Sequence, residues 1–351
     1  MKWMRGGLPP AITFARENVW RLAQGWKKHR ICEEERSEFS VRKLGMNSSS
    51  APRDRVRDMP KSPQFIDNPH AERVRKVADL TSAKARKKTG RFLIEGPQSV
   101  REAVTHRPEI VTDVYVDLAA APNDDIVAAC EESSTMYVHE VSGDVLRHMS
   151  SDAQSVVAVA TSDGFLAQPE ELPFASSGLM AACWQVRDPG NEGTVIRTAD
   201  ASGCAAVLLV GECVDPLNPK VIRSSAGSLF HLPVCRVSEE EFFEQTSAHD
   251  LQVWAADIHG TPKNPPHDLS QVAFGGDSQT GEQTGGLSLS VDRPTVILFG
   301  NEARGLPSEM VERTSATLKI PLYGKAESLN LAMSSAVLLY TLAMSSHVGT
   351  M

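Results

Sequence analysis

Along this chain, short apolar runs alternate with longer stretches of helical spacing. Between Phe65 and Thr161 the runs are Phe92-Leu93-Ile94, Val114-Tyr115-Val116, Met136 to Val138 and Val156 to Val159. Each is the length of a buried strand and rich in β-branched or aromatic residues, which fit a pleated surface. Helices are predicted between them, near Arg73 to Lys88, from Pro97, near Ile126 to Glu131 and over Val141 to Met149. This alternation predicts a small α/β unit. After Gln168 to Ser177, a linker-like stretch with Pro169 and Pro173, the pattern resumes: a buried strand at Leu179 to Val186, a helix from Glu192 to Ser202, and a strand at Ala205 to Val210. Further on come strands at Thr295 to Phe299 and Leu318 to Pro321, then a long apolar helix entered at Ser328. Asn191 is the expected N-cap of the Glu192 to Ser202 helix, and Gly203 its stop.

Length and composition make this an α/β chain of two domains with a tail. Its 351 residues, 41% of them hydrophobic, suffice for two ordinary cores. The expected division is a basic N-terminal extension at 1–63, largely disordered, then an α/β domain at 64–162, a linker at 163–177 and a second domain at 178–351. For the extension, a targeting peptide and an over-extended start, with the initiator at Met46 or Met59, are also open readings. The run from Leu329 to Met344 is interrupted by Asn330 and two serines, too short and polar to span a bilayer, so no membrane segment is expected. The six cysteines include no Cys-x-x-Cys pair and sit mostly in apolar surroundings, which predicts buried thiols in a reducing, cytoplasmic compartment rather than zinc or disulfides.

Charge changes the picture through its distribution. The net charge is -8, yet residues 1–63 carry 14 Lys/Arg against 7 Asp/Glu. From Arg73 to Arg91 there are eight basic residues and one acid, Asp79. On a helix, Lys84, Lys87 and Lys88 fall on one side with Arg91 just beyond. With Arg73 these make a candidate phosphate-binding stripe; the competing reading is an ordinary solvated face. Such contacts would position a nucleic acid without reading its sequence. Between about 275 and 290, Gly, Ser, Thr and Gln dominate, as in a flexible insertion.

Three short motifs carry the candidate chemistry: Asn191-Glu192-Gly193 with Arg197, Gly300-Asn301-Glu302 with Gly305, and Ser328-Leu329-Asn330. Caps and tight turns account for Asn191, Ser328 and the glycines, but leave Arg197 and Glu302 unexplained. A guanidinium on a packed helix needs an acceptor. In this order and setting the motifs resemble those of the SpoU (TrmH-like) branch of the SPOUT superfamily. The resemblance covers about residues 65–346 and implies a parallel-sheet catalytic domain tied in a trefoil knot, preceded by a small RNA-substrate-binding domain. It also implies S-adenosylmethionine as cofactor, a ribose 2′-hydroxyl as methyl acceptor, ribosomal RNA as favoured substrate with transfer RNA as the alternative, and a homodimer with its active sites at the interface. By the same resemblance Arg197 is catalytic and supported by Asn191, and Glu302, Ser328 and Asn330 lie near the reacting ribose. Gly300, Ile320 and Leu329 contact the cofactor. An arginine is too weak an acid to serve readily as a base at neutral pH, so phosphate binding and charge stabilisation suit Arg197 better. No metal is expected, since there is no His-Glu-x-x-His or acidic cluster. Two rivals are a non-catalytic RNA-binding relative and a dinucleotide-dependent enzyme; the latter lacks any Gly-x-Gly-x-x-Gly after a strand.

Overall fold

Residues 65–347, except 122, 134, 175–177 and 275–292, are described by the computed structural model. The expected extension at 1–63 and the whole of the 275–290 insertion fall outside them.

In the first unit, β1 (Arg91–Glu95), β2 (Val111–Val116), β3 (Tyr137–Glu140) and β4 (Val156–Thr161) form one sheet in the order β1-β4-β2-β3. β4 runs antiparallel to both neighbours, and β2 pairs with β3 in parallel. Helices α1 (Glu72–Ala78), α2 (Ala83–Thr89), α3 (Pro97–His106), α4 (Asp124–Glu131) and α5 (Gly143–Met149) cover it. The basic stretch expected as one helix is therefore two. A 3-10 turn, Asp79–Thr81, turns Leu80 into the core, and Ser82 starts α2 by accepting from the Ala85 amide at 3.3 Å. A serine at that position competes with a continuous helix because its hydroxyl replaces the missing backbone acceptor.

The second unit is a seven-stranded sheet, parallel throughout, in the order β7-β6-β5-β10-β8-β11-β9. Its strands are β5 (Leu179–Trp184), β6 (Val207–Val210), β7 (Val234–Val237), β8 (Gln252–Ala256), β9 (Pro266–Asp268), β10 (Thr295–Phe299) and β11 (Ala316–Lys319). Its helices are α6 (Pro189–Ala201), α7 (Pro219–Ser224), α8 (Glu239–Ala248), α9 (Leu269–Phe274), α10 (Ser308–Glu312) and α11 (Leu331–His347). β5 and β10 are buried at every position, as expected where helices cover both faces of a parallel sheet. The stretch from 211 to 274, left without predicted elements, supplies β7, β8 and β9. The linker-like stretch forms a 3-10 turn at Pro169–Glu171 and then buries Leu172 and Phe174 against the sheet.

Apolar rings join the units. Phe165 packs against Phe92 of β1 and against Phe230, with ring centroids 5.4 and 5.7 Å apart. Arg86 of α2, one of the eight basic residues between Arg73 and Arg91, is buried. It donates to Asp215 at 2.6 Å and to the Leu80 and Thr81 carbonyls. Arg223 of α7 pairs with Glu95 and, at 2.6 Å, with Asp152. Such pairs contribute specificity of docking more than net stability, because desolvation offsets most of their attraction.

The first motif's glycine has a packing role. A Cβ at Gly193 would lie 2.4 Å from the Val221 carbonyl oxygen and 2.6 Å from the Ser224 Cβ, so α6 and α7 meet only because residue 193 has no side chain. Gly193→Ala is expected to destabilise the fold by about 1–3 kcal/mol through overpacking, seen as a lower urea midpoint at unchanged slope. An unchanged midpoint would contradict the close helix contact.

Candidate active site

At the carboxyl ends of β8, β10 and β11 lies a cleft of about 540 Å³, within the range of small-molecule sites. Parallel sheets place ligands at these ends, where the strand order reverses. Loop 300–305 forms one wall and residues 327–331 another. Six of the predicted site residues meet here: Gly300, Glu302, Ile320, Ser328, Leu329 and Asn330. Phe299, Leu318, Ile320 and Leu338 provide apolar lining, and Asp257, Glu302 and Glu327 carboxylates face the same space. A flat heteroaromatic group suits the apolar side, and a cationic sulfonium suits the acidic one.

Glu302 organises the region. Its Oε1 accepts from the Asp188 amide at 3.1 Å and from Asn191 Nδ2 at 3.2 Å, and its Oε2 accepts from the Arg187 amide at 3.3 Å. Asn191 Oδ1 in turn accepts from Asn330 Nδ2 at 3.1 Å. One residue from each motif is thereby linked in a hydrogen-bonded chain. Two cap assignments change accordingly. Asp188, followed by Pro189, is the N-cap of α6, accepting from the Asn191 amide at 2.8 Å. Asn191 therefore sits inside the first turn with its side chain free to join Glu302 and Asn330. At α11 the cap is Asn330 rather than Ser328; its Oδ1 accepts from the Ala332 amide at 2.9 Å.

Sequence reasoning missed two residues that shape the cleft. Asn301 is buried, donating to the Gln185 carbonyl at 2.7 Å and accepting from the Ala303 amide at 3.0 Å, so it fastens the loop after β10 to the end of β5. Asp257 closes the turn after β8 by accepting from the His259 and Gly260 amides, both at 2.8 Å. Asn301 lay inside the second motif without a role of its own, and Asp257 had no sequence signal, since no strand was predicted before it. Gly300 lines the cleft, but a Cβ there would lie 2.5 Å from the Gly305 carbonyl carbon, so its first requirement is closure of its own loop.

Arg197 does not join this group. It is exposed on α6, does not line the cleft, and makes no side-chain hydrogen bond or ion pair among the described residues. Six residues on a helix advance about 9 Å and turn well away from Asn191. The expectation that Arg197 needs an acceptor because its helix is packed is corrected: only the other faces of α6 are packed. Arg73, Lys84, Lys87, Lys88 and Arg91 are all exposed. Arg73 Nη1 lies 3.4 Å from His139 Nδ1, and Arg91 is 4.0 Å from Asp113.

Residues 178–340 match the SpoU rRNA Methylase family, and residues 71–160 match the MRM3-like substrate binding domain. The 23S rRNA (guanosine(2553)-2'-O)-methyltransferase RlmP of Bacillus subtilis is 32% identical over 283 residues, spanning 79% of this chain and 98% of that protein. The AdoMet-bound rRNA methyltransferase from Sinorhizobium meliloti aligns at a TM-score of 0.65 and 26% identity, covering 81% of this chain and 98% of that one. The SpoU methyltransferase AviRb from Streptomyces viridochromogenes gives a TM-score of 0.65 and 26% identity over 80% of this chain and 99% of its own. This chain belongs to the SpoU rRNA methylase family.

Between Asn191 and Gly193, Glu192 points into the core. It is fully buried, and neither carboxylate oxygen has a hydrogen-bond partner among the described residues. Burial pushes its pKa up to about 9, against the partial opposing effect of Arg236, so the group is uncharged at neutral pH. The folded state therefore holds a proton that the unfolded chain releases above its ordinary carboxyl pKa. This contribution to stability is fully present at low pH and is lost as pH rises towards about 9. Glu192→Leu is expected to be more stable than the parent by roughly 1–3 kcal/mol at pH 8, with a smaller difference at pH 5. Parallel urea curves at the two pH values would show no such link if Glu192 were paired.

Proposed function

We propose that this protein methylates a ribose 2′-hydroxyl of ribosomal RNA, with a guanosine ribose favoured. The observation that carries this reading is the hydrogen-bonded chain Glu302–Asn191–Asn330 at the mouth of a mixed apolar and acidic cleft. When bound, S-adenosylmethionine supplies an activated methyl group on sulfur. Gly300, Ile320 and Leu329 hold it against the apolar wall. Asn191, Glu302 and Asn330 orient the ribose, with Ser328 beside them, so that the 2′-oxygen is held in line; most of the acceleration comes from this positioning. Arg197 binds a neighbouring phosphate and stabilises negative charge developing on that oxygen.

Exposed Met333, Val337, Tyr340 and Met344 recur at spacings of four, three and four residues along α11, an apolar stripe on one face. α11 packs on α6, the helix that bears Arg197. A homodimer formed through this stripe covers it and lets Arg197 complete the cleft of the second copy. The domain that carries Arg73, Lys84, Lys87, Lys88 and Arg91 meets the RNA backbone. The fold around the cleft is a trefoil knot, an exception to the rule that chains do not thread loops, and the protein works in the cytoplasm. Among the described residues no helix is long and apolar enough to cross a membrane.

Purified protein given methyl-labelled S-adenosylmethionine with undermethylated ribosomal and transfer RNA should place label in alkali-resistant dinucleotides of ribosomal RNA. Arg197→Ala should lower turnover about 10²–10³-fold, as when one charge-stabilising donor is removed, with cofactor affinity nearly intact. Label in a base, or unchanged turnover in the variant, would defeat the 2′-hydroxyl mechanism or the role of Arg197 respectively. Val337→Arg should convert a dimer into a folded monomer by light scattering and lose activity with it; a monomeric parent at micromolar concentration would refute the shared site.

A further inference from the structure

Where the two α/β units meet, away from the cleft, three metal-ligating side chains converge. Glu102 and His106 lie on successive turns of α3, and His231 follows the 3-10 turn Ser228–Phe230 of the other unit. Glu102 Oε2 is 3.3 Å from His106 Nε2 and 3.0 Å from His231 Nε2. One ligand atom from each of the three lies within 4.8 Å of the other two. We propose that Glu102, His106 and His231 bind a zinc ion that clasps the two units together.

Donor chemistry and spacing both fit. Two imidazoles and a carboxylate are an established zinc ligand set, and ligands at about 2.0–2.1 Å on a tetrahedron lie roughly 3.3 Å apart. The supporting groups also match what such sites use. His231 Nδ1 meets Asp200 Oδ2 at 2.8 Å, the carboxylate partner that fixes a metal-bound imidazole with its other nitrogen towards the ion. Gln98 Nε2 donates to Glu102 Oε1 at 2.8 Å, leaving Oε2 for the two histidines. The approach is built into the backbone: a Cβ at Gly227 would lie 2.3 Å from Glu102 Cγ. The His106 side chain is 40% exposed, so water can take the fourth position and the ion has a path in. The sequence offered no sign of this, since Glu102 and His231 are 129 residues apart and no cysteine takes part. The rival use of the same geometry is a metal-free bridge, in which hydrogen bonding to Asp200 and then to Glu102 raises the His231 pKa above its ordinary value.

Zinc chloride titrated calorimetrically into the metal-stripped full-length protein should bind at one ion per chain and raise the unfolding temperature. Cobalt in its place should give the visible ligand-field absorption of a tetrahedral site. Asp200→Asn, which keeps all three ligands, should weaken binding by roughly 10–100-fold. His106→Gln and His231→Gln should weaken it further, whereas His70→Ala should leave it unchanged. Absence of binding, or binding untouched by all three seam variants, would overturn the zinc site in favour of the metal-free bridge. Because the readout is metal stoichiometry, the outcome is independent of whether the cleft methylates RNA.

Discussion

β10 lies between β5 and β8, paired in parallel with both, and its placement fixes where distant segments of the chain end. The loop after β10 is brought against the turn between β5 and α6, and the start of α11 lies across from it. Only then can one carboxylate, Glu302, accept from two backbone amides of that turn and from Asn191. The bonds are individually ordinary in length. Their effect comes from joining loops that are otherwise tethered only at strand ends, which orders a cleft without a side-chain core of its own.

A second level of order lies at the junction of the units. Phe92, Phe165 and Phe230 give it an apolar centre, while Arg86–Asp215 and Arg223–Glu95 flank that centre with paired charges. Burying Arg86 without Asp215 would leave a desolvated cation, so the pair holds α2 in one orientation. The exposed Lys84, Lys87 and Lys88 of α2 are thus carried on a helix anchored from beneath. A basic stretch in the sequence resolves into one cation that docks the unit and others that remain open to solvent.

Much of the candidate site was legible because its signals are local. Glu302 stood out as a charge that no turn requires, and the loop chemistry of Gly300-Asn301-Glu302 after an apolar run marked a strand end. The caps were misread by a few residues where two good candidates compete. Asp188 precedes a proline suited to the first helical position, and that fixed backbone favours it over Asn191. Asn330 displaces Ser328 because the backbone stays irregular until Leu331. Arg197 was identified by type, but the reason offered for it, a packed helix, failed because burial depends on what covers each face of α6.

The sequence by itself determined the alternation of strands and helices outside 211–274, the buried character of β5, and the residue types that suit methyl transfer to RNA, because periodicity and side-chain chemistry are properties of neighbouring residues. Tertiary structure alone decided the strand order, the burial of Arg86 against Asp215, the link from Asn330 through Asn191 to Glu302, and the meeting of Glu102 and His106 with His231. Each depends on contacts between residues remote in the chain or on which face of an element is covered. Neither leaves a mark in local spacing, since the same local pattern can be packed in more than one order.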